Sequence, residues 1–324
     1  MNLGHTLIIR PGALGDAVLT LPVLRALRSS GALSLTALCT PASWAFLKPA
    51  SLRMLDFSSA DWLGLISEAV SLNSAAQEKL AGIHTAIVYL KGADDCIQAL
   101  KKAGVRTVVS GEPPTNDTRE RHTHAARQLL QPLRAFISET TINAALKIGD
   151  QAADEFLAVE ERERAVALSG LGLRAPSTDG FFGIHPGSGG RHKRWPAENF
   201  ARVTKELASR GFLPLVFFGP ADDATRRECE DVLPRDAAWT SVANRPLREV
   251  LALLTLCRGY VGNDAGLTHL AARVCPVVVL FGPTASERWT PLGRDMRILQ
   301  APEKNLSKLD VATVLEAAFE ISRR

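Results

Sequence analysis

Arg10-Pro11-Gly12-Ala13-Leu14-Gly15-Asp16 joins a short apolar run, Leu7-Ile8-Ile9, to an amphipathic stretch over residues 16–28. This is the pattern of a strand passing into a helix through glycines. Two counterparts lie far downstream, His185-Pro186-Gly187-Ser188-Gly189-Gly190 and Gly262-Asn263-Asp264-Ala265-Gly266. Glycines at such turns let a ligand come close to the backbone, and the helix that follows offers unpaired N–H groups and a partial positive charge to an anion. The second and third turns therefore suit phosphate. The first ends in a carboxylate, which repels phosphate and suits a base.

Around these turns, short β-branched or apolar runs alternate with amphipathic ones, as in β-α-β units that build parallel sheets. Strands are expected at 35–39, 53–57, 85–90 and 105–110, and helices at 93–102, 122–133 and 153–169. Residues 170–180, GLGLRAPSTDG, read as a linker. The alternation then resumes, with strands at 181–185, 213–218, 259–261 and 277–281 and helices at 197–210, 221–232, 247–256 and 267–274. A last amphipathic stretch covers 309–321. The expectation is an α/β protein of two Rossmann-like, doubly wound domains, 1–175 and 176–324, facing a central cleft. Ligands of such sheets bind beyond the carboxyl ends of the strands, where all three turns fall.

A chain of 324 residues fits two domains of ordinary size. With 46% hydrophobic and 22% charged residues it has the balance of a globular protein. The five cysteines are scattered without a C-x-x-C pair, which points to neither a zinc site nor a disulfide framework and predicts a reducing, cytoplasmic setting. The first residues carry no signal-peptide pattern, and no apolar run approaches the ~20 residues that span a bilayer. The net charge of +4 is unevenly spread, since residues 101–134 alone hold seven bases against three acids. That run reads either as a solvated helix face or as a patch for an anionic acceptor or an acidic membrane surface. Its near lack of aromatic side chains argues against nucleic acid.

The glycines at 12 and 15 do not fit G-x-G-x-x-G, and no acidic residue ends a second strand, so nicotinamide binding is disfavoured. Asp16 reads either as a helix cap or as a general base. In residues 185–196, backbone N–H groups and the Ser188 hydroxyl can donate to phosphate oxygens, and Lys193 supplies a mobile positive charge. The other reading makes Trp195-Pro196 a packing corner and the cations an exposed loop. Asp264 reads as an N-cap, as an acceptor for sugar hydroxyls, or as both, and His269 as a buried helix residue or part of the same site. Asp94-Asp95 and Asp222-Asp223 are adjacent and not spaced as D-x-D, so no metal site is expected.

Taken together, these motifs resemble glycosyltransferase family 9, the ADP-heptose:lipopolysaccharide heptosyltransferases. LIIRPGALGDAVLTLPVLRALR is similar to that family's opening strand, loop and helix, and GIHPGSGGRHKRWPAENFARV, GYVGNDAGLTHLAA and VVVLFGPTASERWTPLG resemble its donor motifs in order. The resemblance implies a GT-B fold, with the acceptor on the N-terminal domain, the nucleotide sugar on the C-terminal one, and the last helix (309–321) packed back on the N-terminal domain. It implies an inverting, metal-independent transfer of heptose from ADP-heptose, a substrate and not a cofactor, to a hydroxyl of a lipopolysaccharide-core or related anionic glycan or glycolipid. The enzyme would work in the cytoplasm, with room for peripheral contact with the cytoplasmic face of the inner membrane.

Position by position, the resemblance makes Asp16 the catalytic base and Lys193 the charge at the leaving group. Ser188, Gly189 and Lys193 would hold the diphosphate, Asp264, Gly266, Leu267, Thr268 and His269 would grip the donor, and Asp222 would lie near the nucleoside. Gly12, Gly15, Lys91, Arg119 and Arg121 are expected on the acceptor side. Two departures stand out: Tyr89 occupies a position where many members carry aspartate, and Gly189-Gly190 replaces hydroxyl or charged residues. The competing readings are a GT-B transferase or epimerase using another nucleotide sugar, and a non-catalytic nucleotide-sugar-binding module.

Overall fold

The computed structural model describes residues 3–67, 69–115, 123–147, 154–174 and 180–323. The chain divides into two compact units, Met1–Lys147 and Ile148–Arg324. The first is built on a five-stranded sheet of β1 (His5–Arg10), β2 (Ser34–Cys39), β3 (Arg53–Asp56), β4 (Ile83–Val88) and β5 (Thr107–Ser110), in the order β3-β2-β1-β4-β5. Every pairing is parallel. Parallel strands are covered on both faces, which is why the central ones read as unbroken apolar runs such as Leu7-Ile8-Ile9 and Ala86-Ile87-Val88, all fully buried.

The second unit carries six strands, β6 (Phe181–His185), β7 (Leu213–Phe218), β8 (Thr240–Ala243), β9 (Cys257–Asn263), β10 (Val277–Phe281) and β11 (Met296–Gln300). They too are parallel, in the order β11-β10-β9-β6-β7-β8. In each sheet the chain winds outward one way from its first strand and then crosses to that strand's other side. The switch points therefore lie between β1 and β4, and between β6 and β9, where the loops on either side diverge and leave a crevice for ligands.

Three expectations change. The helix expected at 153–169 is helical only over Glu161–Ser169, because the Asp154 side chain accepts the backbone N–H groups of Phe156 (2.9 Å) and Leu157 (3.2 Å) and bends the chain into a turn. That helix packs on the helix Leu247–Leu254 of the second unit, and the Arg248 guanidinium reaches Glu163 at 2.7 Å. The division accordingly falls at Lys147/Ile148 and not at 175/176. Residues 175–179 of the expected linker lie outside the described residues.

The second change concerns the last helix, Val311–Ser322, whose expected place was the N-terminal domain. Its buried Val314, Ala317, Ala318 and Ile321 are part of the second unit's own core, together with Phe182, Val261 and Leu280. Third, of the helix expected at 122–133, the described residues 123–133 are α-helical only over Ala125–Leu130 and continue as a 3₁₀ turn, Gln131–Ala135. Pro132 lacks the N–H that another α turn would need. The strands β8 and β11 escaped the sequence reading because both are short edge strands whose residues are mostly half exposed, without an apolar run to mark them. No helix among the described residues is long and apolar enough to cross a membrane.

Candidate active site

At the switch point of the first sheet, Arg10 ends β1 and Tyr89 follows β4, and the backbone N–H of Tyr89 donates to the carbonyl of Ile9 at 2.9 Å. The helix Leu14–Ser29 has Ala13 at its N-cap, so Asp16 stands in its first turn. One Asp16 carboxylate oxygen, Oδ2, accepts the Ala13 N–H at 3.1 Å, and the other, Oδ1, accepts from the Arg10 guanidinium at 2.5 Å. Arg10 is 4% exposed, and burial pulls its pKa below the usual guanidinium range, against the opposite pull of Asp16 and Tyr89. Gly12 is held at φ +142, and a Cβ there would stand 2.5 Å from Asp16 Oδ2. Glycine at 12 is thus a condition for the carboxylate to sit where it does.

In the second unit four adjacent strands deliver their following loops to one edge of the sheet. From the loop after β6, the Ser188 hydroxyl donates to the backbone carbonyl of Asp264 at 3.1 Å, and Lys193 Nζ meets Asp264 Oδ2 at 3.0 Å. From the loop after β10, the Thr284 hydroxyl donates to the same Oδ2 at 2.7 Å. His269 Nε2 lies 4.0 Å from Asp264 Oδ1. Asp264 itself, after β9, is 8% exposed and anchored by its N–H to Leu280 O at 3.0 Å. A buried carboxylate gathers donors because it would otherwise lose its hydration without replacement.

Two further groups brace this edge. The side chain of Asn263, fully buried, donates to Pro186 O at 2.8 Å and accepts from the backbone N–H of Trp195 at 3.0 Å, so it ties the loop after β9 to both ends of the loop after β6. Asp222, in the loop after β7, accepts from Gly219 N at 2.8 Å and pairs with His185 Nε2 at 3.1 Å. Burial pushes the Asp222 carboxyl up, but the bonds from His185 and Gly219 outweigh it and leave the group below the usual carboxylate range. Gly187 leaves room for that carboxylate, since a Cβ at 187 would stand 2.2 Å from Asp222 Oδ1.

The sequence model of glycosyltransferase family 9 (heptosyltransferase) matches residues 96–318. The chain belongs to that family. It is 31% identical over 132 residues to lipooligosaccharide heptosyltransferase 2 of Haemophilus influenzae, a match covering 39% of this chain and 38% of that protein. The matched part thus spans about two fifths of the length of that curated relative. Among solved structures, E. coli ADP-heptose LPS heptosyltransferase II superimposes with a TM-score of 0.75 at 19% identity, over 100% of this chain and 99% of that one. The E. coli heptosyltransferase WaaC with ADP gives 0.62 at 15% identity, over 98% and 99%. These likenesses show a GT-B-like fold of two parallel-sheet units.

In this family 9 chain the expected donor residues fall into different situations. Ser188, Lys193, Asp264, Thr268 and His269 lie on the loops and the helix start after β6 and β9, four of them buried and Lys193 half-buried, and Gly266 and Leu267 open the helix Gly266–Ala271. Asp264 is not the N-cap of that helix: Ala265 is, and the Asp264 side chain turns to Lys193 and Thr284 instead. Gly189 is exposed, and a Cβ there would meet nothing within 4 Å, so no packing demands glycine at that position. The stretch after Gly190 is a single 3₁₀ turn, Arg191–Lys193, and the helix proper begins at Ala197. Trp195 is buried and donates Nε1–H to Leu309 O at 2.9 Å, so the packing-corner reading holds for Trp195 while Lys193 points to Asp264.

Of the residues expected on the acceptor side, Gly12 lies on the opening loop, Gly15 precedes Asp16 in the first turn of the helix, and Lys91 is exposed on the loop after β4. Arg119 and Arg121 lie outside the described residues. Tyr89 is 1% exposed, and its hydroxyl donates to Leu129 O. Burial raises its pKa and keeps it a proton donor. Tyr89 is therefore a strut between β4 and the helix Ala125–Leu130. Sequence reasoning missed Arg10, Asn263 and Thr284 as site residues. Each sits within a quoted stretch: Arg10 and Asn263 are the last residues of β1 and β9, a position that marks them, whereas Thr284 stands three residues beyond the end of β10.

Proposed function

We propose that this chain transfers a heptose, with inversion, from ADP-heptose to a hydroxyl of a lipopolysaccharide-core or related anionic glycan or glycolipid. The observation that carries this reading is the convergence of Lys193, Ser188 and Thr284 on Asp264 at the carboxyl ends of β6, β9 and β10. A diphosphate arriving there takes Lys193 as a partner, and the Asp264 carboxylate, still held by Thr284, accepts hydrogen bonds from sugar hydroxyls. Asp222 and His185 keep the loop after β6 in position, next to the nucleoside. The family membership and the likeness to a heptosyltransferase solved with ADP support the choice of donor.

In the reaction, Asp16 of the first unit takes the proton of the acceptor hydroxyl as its oxygen attacks the anomeric carbon opposite the diphosphate. The bond from that carbon to the β-phosphate oxygen breaks, and ADP leaves with both bonding electrons. Positive charge builds on the ring as in glycoside hydrolysis, and Lys193 balances the negative charge growing on the diphosphate. Arg10 orients Asp16 through the bond to Oδ1 and leaves the carboxylate's remaining lone pairs for the incoming proton. The exposed Lys91, with Arg119 and Arg121, would meet the anionic groups of the acceptor, and a peripheral contact with the inner membrane surface fits a glycolipid.

The test is a thermal-shift series with ADP, UDP and ADP-heptose, followed by turnover on a heptose-deficient lipopolysaccharide core. ADP and ADP-heptose are expected to raise the melting temperature, and UDP to leave it unchanged. Equal stabilisation by UDP would count against the donor. Tight ADP-heptose binding with no transfer to any core acceptor would favour a binding module instead.

A further inference from the structure

The first unit holds a cavity of about 600 Å³ at the edge of its sheet opposite to the one that carries Asp16. His5, Ser34 and Arg53 line it from the N-terminal ends of β1, β2 and β3, and Arg28 and Lys79 come from the last turns of the helices Leu14–Ser29 and Ser74–Leu80. The strands β1 and β2 are six residues long, so this edge is roughly 17 Å from the one that carries Asp16. Four of the lining residues are bases and none is an acid. Cavities of this size take small molecules, and convergent bases select anions.

Arg28, Lys79, His5 and Ser34 are held in place. Arg28 donates to Ser51 O at 2.9 Å, Lys79 is bonded to Asp61 and lies 5.7 Å from the centre of the Trp62 ring, and His5 Nδ1 shares a 2.5 Å hydrogen bond with Ser34 Oγ. The His5 ring stacks on His84 at 6.0 Å. Arg53 is exposed. Ser51 Oγ is buried with no hydrogen-bond partner, a cost that a ligand hydroxyl or phosphate oxygen would remove. The lining contains no Phe, Tyr or Trp on which a nucleobase would stack, whereas it offers several hydroxyls.

We propose that this cavity binds a phosphorylated sugar, with Arg28, Arg53 and Lys79 around the phosphate and Ser34, Ser51 and His5 at the sugar hydroxyls. The proposal stands apart from the identity of the transferred sugar. It is tested by titrating the full-length protein with glucose 6-phosphate while following the side-chain resonances of His5 and His84 by NMR. Saturable shifts are expected, together with weaker binding of inorganic phosphate and none of glucose. Arg53→Glu should weaken glucose 6-phosphate by about tenfold or more, the loss of one charge-assisted bond, and Lys193→Ala should leave it unchanged. Ser51→Ala should weaken it several-fold without lowering the melting temperature of the free protein, because that hydroxyl bonds nothing there. No saturable shift, an equal response to glucose, inorganic phosphate binding as tightly as the sugar phosphate, or affinity that survives both Arg53→Glu and Ser51→Ala would overturn it.

Discussion

Gly12 and Gly187 are bound to particular carboxylates: each leaves the space that an acid needs, Asp16 in one loop and Asp222 in the other. Gly189 has no such neighbour. Gly187→Ala is therefore expected to displace Asp222, cost ~1–3 kcal/mol of stability and weaken ADP binding, whereas Gly189→Ala should change stability little; urea unfolding and calorimetry separate the two. The Arg10–Asp16 pair carries a second expectation. Asp16→Asn should lower transfer ~10²–10⁴-fold with ADP affinity preserved, and near-normal turnover would remove Asp16 as the base. Arg10→Met should slow transfer less, because it removes only the orienting bond. The double variant should then be no worse than Asp16→Asn alone, a non-additivity that initial-rate kinetics can read.

Among the elements, the loop after β6 depends on partners far away in sequence. Asn263 closes it from β9, and the Trp195 indole ties it to Leu309, just before the last helix. That helix is amphipathic in the sequence, but its period says only that one face is buried and not which sheet covers it. Here the face lies in the second unit's core, with Ile321 1% exposed among residues of β6, β9 and β10. Ile321→Ala is expected to cost ~2–5 kcal/mol and to lower the ADP-dependent rise in melting temperature, because the same core supports the loops proposed to meet the donor. A loss confined to stability, with the ADP response intact, would show the site to be independent of that helix.

For the whole molecule, each unit repeats one design: a parallel sheet with a switch point beside its first strand, and polar loops at the carboxyl ends. The candidate charged groups are divided between them, with the carboxylate of Asp16 in the first and the Lys193–Asp264–Thr284 group in the second. Amide hydrogen exchange with ADP should therefore slow the loops after β6, β9 and β10, while the loop holding Asp16 changes little. Protection spread equally over both sets of loops would contradict that division. The alternation of apolar and amphipathic runs made most of this plan legible, since buried parallel strands and the helices that cover them have different periods. It failed at the edge strands β8 and β11, where half-exposed residues erase the apolar run, and at residues 153–169, where the local bonds of Asp154 defeat the helical pattern.

Local pattern alone was enough to read an α/β chain with two Rossmann-like halves, three glycine-containing turns between strand and helix, and a resemblance to family 9. Those properties rest on local patterns and on ordered motifs that need no knowledge of distant partners. Folding was needed to show that Asp16 is held by Arg10, that Lys193 and Thr284 share one oxygen of Asp264, and that Tyr89 is a strut. It also decided that the helices Glu161–Ser169 and Val311–Ser322 belong to the second unit. The physical reason is the same in each case. A side chain's partner is chosen by which strands become neighbours, and β6 lies beside β9, more than seventy-five residues away in the chain, only once the sheet has formed.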